Sequence, residues 1–170
     1  MPPPPRAIKV TDEHGYGDLL QRLIHCKVEF VLIGGLAAIA RGSNRATFDI
    51  DVVYERSAEN MRRLVDAIGE LDPYLRGAPP GLPFVWELAT IQQGLNFTLT
   101  TRIGDIDLLG EAAGDGRYES VFPDSTEIQL FGQTCRCVTV ERLIALKRAA
   151  GRPKDFETIA ELEAIRDEHV

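Results

Sequence analysis

The sequence predicts a mixed α/β domain, on three observations. Short β-branched runs alternate with helical stripes along the chain. Two late strands flank a tight turn, so the sheet is mixed rather than all parallel. The chain has 170 residues, 44% of them hydrophobic and 26% charged, the composition of a soluble globular domain. That length buries enough surface to fold without disulfides or metals as staples.

Each element follows from local pattern. Residues 1–15, with Pro2–Pro5, read as a flexible tail, and residues 16–170 as a single domain. Leu19, Leu20, Leu23 and Ile24 mark a helix face, and Val28–Ile33 is a buried strand. Gly34-Gly35 breaks the strand, and Leu36–Arg41 is a short helix ending at Gly42. Phe48–Tyr54 is the next strand. Ser57 caps a helix with Met61, Leu64, Val65 and Ile68 on one stripe. Residues 72–94 are rich in Pro and Gly and carry no clear pattern. Leu95–Thr101 and Ile103–Leu109 read as strands across a turn at 102–104. Glu127–Phe131 and Thr134–Val138 form a hairpin around Gly132-Gln133. Thr139 caps a helix that Gly151 ends, and Pro153 starts the last helix. Phe156, Ile159, Leu162 and Ile165 are expected to pin that helix to the body.

Composition narrows the function. A net charge of −7 argues against a general nucleic-acid binder, whose affinity comes from neutralising phosphates. A local basic cluster stands out in residues 141–154. No apolar run is long enough to span a bilayer, and no signal peptide is visible. Three cysteines cannot all pair within one chain, so a cytoplasmic setting is expected. Cys135 and Cys137 lack zinc spacing and read as small buried hydrophobes. The three histidines show no nucleophile–base pattern.

Four features carry chemistry. Gly34 and Gly35 join a strand to a helix, allowing a tight turn and close approach of a ligand to backbone N–H groups. Asp49 and Asp51 alternate with Ile50, so both carboxylates project from one face of a strand. Like charges so placed call for a cation between them, and Mg²⁺ or Mn²⁺ takes such oxygen ligands together with phosphates. Asp105 and Asp107 repeat the pattern, and one of them could complete a three-carboxylate site for a pair of metals. Lys147 falls on the inward stripe of its helix with Ile144 and Leu143, so it either snorkels outward or meets an anion. Arg45 and Thr47 precede Asp49, and Arg152 follows Lys147; all could meet phosphate oxygens.

Taken together these motifs are more specific than any one. Gly34-Gly35, thirteen residues, then Asp49-Ile50-Asp51 resembles the signature of the DNA polymerase beta-like nucleotidyltransferase superfamily. Gly34–Val53, Gly104–Gly110 and Val140–Asp155 resemble its small bacterial branch, which includes AbiEii-like proteins of toxin–antitoxin systems. The resemblance implies a mixed sheet flanked by helices. It implies transfer of a nucleotidyl group from a nucleoside triphosphate (NTP) to an acceptor: tRNA, a protein or a small molecule. It implies that Asp49, Asp51 and Asp107 bind catalytic metal and that Gly34 and Gly35 hold the triphosphate. It also implies a cognate antitoxin as a partner. Gly35 stands where many members have Ser, leaving only backbone contacts there, and no appended acceptor domain is recognisable. Two other readings compete: a catalytically inactive module that binds a nucleotide or a partner protein, and a glycosyltransferase using a nucleotide sugar.

Overall fold

The computed structural model describes residues 7–8 and 15–169. Most of the expected tail lies outside the described residues. Within it, β1 (Ala7–Ile8) pairs in parallel with a late strand.

The order that follows tracks the sequence pattern. Helix α1 (Tyr16–His25) buries Leu19, Leu20 and Leu23. Strand β2 (Phe30–Ile33) is buried at every position and runs into α2 (Gly34–Ala40). Strand β3 (Asp49–Tyr54) precedes α3 (Ala58–Gly69), whose N-cap Ser57 accepts from the Asn60 N–H at 3.2 Å. The unassigned stretch contains β4 (Tyr74–Leu75) and α4 (Leu88–Gln93). Next come β5 (Asn96–Thr100) and β6 (Asp105–Leu109), then a small β7–β8 ladder (Glu111–Ala112 and Gly116–Arg117) and α5 (Tyr118–Val121). The hairpin is β9 (Ser125–Leu130) and β10 (Gln133–Val138). Helix α6 (Val140–Ala150) is capped by Thr139 and ended by Gly151 in the left-handed region. A 3₁₀ turn at Pro153–Asp155 leads into α7 (Phe156–Glu168).

Eight strands form one mixed sheet in the order β1-β9-β10-β2-β3-β6-β5-β4. Its centre matters most for function. β3 pairs antiparallel with β2 and parallel with β6, in the register Asp49↔Asp105 and Asp51↔Asp107. The alternate residues Ile50, Val52, Ile106 and Leu108 are fully buried in the core. Helix α2 packs on α6, and α6 on α7; α1 packs on α3, and α3 on α4.

Two local expectations are corrected. The β9–β10 loop is Phe131-Gly132, one residue earlier than expected, with φ of 52° and 76°. A two-residue turn that matches strand twist needs positive φ at both central residues, and Phe131 accepts it. Phe156 does not pin α7: it is 61% exposed where the chain leaves the 3₁₀ turn, whereas Ile159 and Leu162 are buried as expected and Ile165 packs against the core. Cys135 and Cys137 are buried, and burial raises their thiols to about 12 and about 11, so they are inert hydrophobes.

Candidate active site

The carboxylates come from the pleat. Side chains on one face of adjacent strands in register stand side by side. One oxygen from each of Asp49, Asp51 and Asp107 therefore lies within 4.8 Å of the others. Asp51 is pushed up to about 8 from 3.8. Burial is the main cause, followed by its hydrogen bond with Asp107 and the charges of Asp49 and Asp107; the Gly35 N–H partly offsets them. A carboxyl so placed needs a cation beside it to ionise at neutral pH. The donors are all hard oxygens, so the set fits Mg²⁺ or Mn²⁺.

The glycine turn serves these carboxylates directly. Gly34 has φ of 73°, and a Cβ there would overlap the Asp51 carboxylate. A Cβ at Gly35 would overlap the Thr47 side chain. The glycines thus let Asp51 and Thr47 close onto the start of α2. Thr47 Oγ1 lies 3.4 Å from Asp49 Oδ1, and Tyr16 donates its hydroxyl to the Thr47 carbonyl.

Of the residues singled out from the sequence, Gly34, Gly35, Arg45, Thr47, Asp49, Asp51, Asp107, Lys147 and Arg152 line one cavity of about 990 Å³, and Asp105 does not. The cavity's second wall is basic but already paired. Lys147, on α6, does not snorkel: it is buried and meets an anion of its own chain, Asp155, whose Oδ1 lies 3.4 Å from its Nζ. Arg152 Nε donates to Asp155 Oδ2 at 2.7 Å. Burial alone would raise Asp155, but the Arg152 hydrogen bond and the Lys147 and Arg152 charges outweigh it and hold the carboxyl below its usual range. Arg45 pairs with Glu157 at 2.8 Å. Its loop is tied to α7 by Glu161, which accepts from the Ser43 hydroxyl and, at 3.2 Å, from the Asn44 N–H. Those bonds, the Ser43 one first, hold Glu161 below its usual range.

Sequence reasoning missed Arg76. It follows β4, and its guanidinium reaches across β5 to three aspartates: Nη2 is 2.8 Å from Asp107 Oδ1, Nη1 3.2 Å from Asp49 Oδ2, and Nε 3.3 Å from Asp105 Oδ2. The one available signal was that Arg76 is the sole cation within the Pro/Gly-rich 72–94 stretch.

Solved structures of similar shape point the same way. The crystal structure of the lincosamide antibiotic adenylyltransferase LnuA, with lincomycin bound, matches with a TM-score of 0.59 at 15% identity, covering 94% of this chain and 99% of that one. A Thermotoga maritima protein assigned as a nucleotidyltransferase matches with a TM-score of 0.54 at 16% identity, covering 85% of this chain and 87% of that one. The chain has a nucleotidyltransferase fold. No family model matches it, and no curated protein matches it in sequence. On this fold the acidic and basic walls line a common cavity. Among the described residues no helix is long and apolar enough to cross a membrane.

Proposed function

We propose that the protein transfers a nucleotidyl group from an NTP to a hydroxyl-bearing acceptor, using Mg²⁺ or Mn²⁺ held by Asp49, Asp51 and Asp107. The observation that carries this reading is the β3–β6 register, which brings three carboxylates within 4.8 Å on a nucleotidyltransferase fold. Bound metal would activate the attacking oxygen and neutralise charge on the phosphates. The chain's own residues would do the rest. Gly34 and Gly35 keep the backbone at the cavity floor free of side chains that would bar the triphosphate. Thr47 beside the glycine turn, and Arg45, Lys147 and Arg152 from the basic wall, orient its oxygens. Asp107 accepts the proton of the acceptor hydroxyl as it attacks the α-phosphorus in line, and pyrophosphate leaves.

A small-molecule acceptor is the reading the observations support over RNA. The chain carries a net charge of −7, and its cavity is of small-molecule size. It is also nearly coextensive with LnuA, an adenylyltransferase of lincosamide antibiotics. A toxin–antitoxin role in the cytoplasm, with a cognate antitoxin, rests on the AbiEii-like resemblance alone. Co-purification with the product of a neighbouring small gene tests it.

Incubation with Mg²⁺, each α-labelled NTP and a panel of hydroxylated small molecules tests the main reading. Label should move to a small product and stay unmoved with Asp49→Asn. Label on RNA or protein would reassign the acceptor, and transfer by Asp49→Asn would refute the mechanism. A second reading, a nucleotide-binding module without turnover, is favoured by Arg76, which already offsets part of the carboxylates' charge. Metal-dependent NTP binding with no label transfer would decide for it.

A further inference from the structure

The metal reading leaves Arg76 and Asp105 unexplained. Asp105 stands beside Asp49 in register, yet it lies outside the three-carboxylate group. Arg76 touches two members of that group and Asp105 as well. Its backbone is fixed, because its N–H donates to the Thr98 carbonyl at 3.0 Å and continues the β4–β5 pairing. The side chain is 26% exposed and can change place by giving up its Nη2 bonds to Asp107 and to the Leu99 carbonyl, both at 2.8 Å.

Two details make the present pose unstable towards a competitor. First, a guanidinium never loses its charge, so it leaves a carboxylate only for a better partner or when another cation displaces it. A divalent ion ligated at about 2.0–2.6 Å by Asp49 and Asp107 would sit against the guanidinium that bridges them, cation against cation. Second, Arg76 Nε is buried and makes no hydrogen bond, although Asp105 Oδ2 is only 3.3 Å away. Turning fully onto Asp105 would satisfy that donor.

The geometry points to Arg76 as a built-in stand-in cation. It holds Asp49 and Asp107 together until a divalent metal binds, then withdraws to Asp105. Asp105 is the parking carboxylate, which explains a fourth aspartate in a site whose metals need three. Arg76 thereby sets the metal affinity of the site and keeps its carboxylates assembled. This inference rests on the metal-binding reading above.

The test uses the full chain, with Mg²⁺ alone and no nucleotide. Nitrogen NMR of the ¹⁵N-labelled wild-type protein follows the Arg76 guanidinium, and calorimetry gives the Mg²⁺ affinity of wild type, R76Q and R76K. Lysine keeps the charge but cannot bridge three carboxylates as a planar fork does. The guanidinium signal should shift on Mg²⁺ addition, and R76Q should bind Mg²⁺ on the order of tenfold more tightly, within the range of ordinary coupling between two ligands. R76K should lie between R76Q and wild type. The same metal-induced shift should persist in labelled D49N at higher Mg²⁺, since Asp107 is still shared. An Arg76 signal unmoved by saturating Mg²⁺, or weaker Mg²⁺ binding by R76Q and R76K, would overturn the inference while leaving the metal site intact. Absence of any Mg²⁺ or Mn²⁺ binding by all three proteins would end the metal reading together with it.

Discussion

On the β3–β6 wall three aspartates share one guanidinium; on the α6–α7 wall two cations share one buried aspartate. The first wall is short of positive charge, and in the second the cations outnumber the carboxylate they share. Strand register forces the carboxylates together whatever their charge, so the strain concentrates in Asp51. Asp155 engages Lys147 and Arg152, the cations across the cavity from the carboxylates. Stability resides in the paired wall, and the capacity to bind metal resides in the incompletely paired one, as expected where function is maintained at the expense of stability.

Substitutions should separate the walls. The largest effect on activity is expected from Asp49→Asn and Asp107→Asn, which should cut nucleotidyl transfer by more than about a hundredfold while circular dichroism stays unchanged. The largest effect on stability belongs to the other wall. Asp155→Ala leaves Lys147 buried without a partner and should cost about 3–5 kcal/mol in urea denaturation. Lys147→Met should cost less, because Arg152 still holds Asp155. Gly34→Ala should lose more than about 1 kcal/mol and spoil metal binding together, since it strains a φ of 73° and pushes against Asp51.

How far the sequence discloses this contrast depends on the length scale of each contact. Asp49 and Asp51 are legible because alternation along a strand is local, and the glycine turn is legible for the same reason; alternation leaves Asp105 and Asp107 equal, and only the family resemblance singles out Asp107. Ser57, Thr139 and Gly151 fall where capping chemistry puts them. Arg76 is hidden because β4 is only two residues long and exists through its pairing with β5. The Ser43–Glu161 tie spans 118 positions, so no local pattern betrays it. Lys147 shows the limit of a helical stripe. Its inward position is legible, but its partner lies beyond the helix end, across Gly151 and Pro153. Phe156 fails for the same reason in reverse, as a stripe extended backward to the 3₁₀ turn.

Smaller effects sharpen the contrast through pH. In the folded protein Asp51 holds its proton up to about 8, whereas in the unfolded chain it ionises near 3.8. Its contribution to stability is therefore full below pH 3.8 and lost as pH rises through about 8. The melting temperature of the metal-free protein should decline across that window, and Asp51→Asn should flatten the decline. The least change is expected from Ser43→Ala, about 1 kcal/mol, through loosening of the Arg45 loop.

The incompletely paired wall is tested most directly by titrating Mn²⁺ into wild type and Asp51→Asn at pH 7, with electron paramagnetic resonance reporting the free ion. Saturable binding in the wild type, weakened by more than about tenfold in Asp51→Asn, is the expected result. Equal affinity in the two proteins, or no binding by the wild type, would contradict a metal centre on the three aspartates.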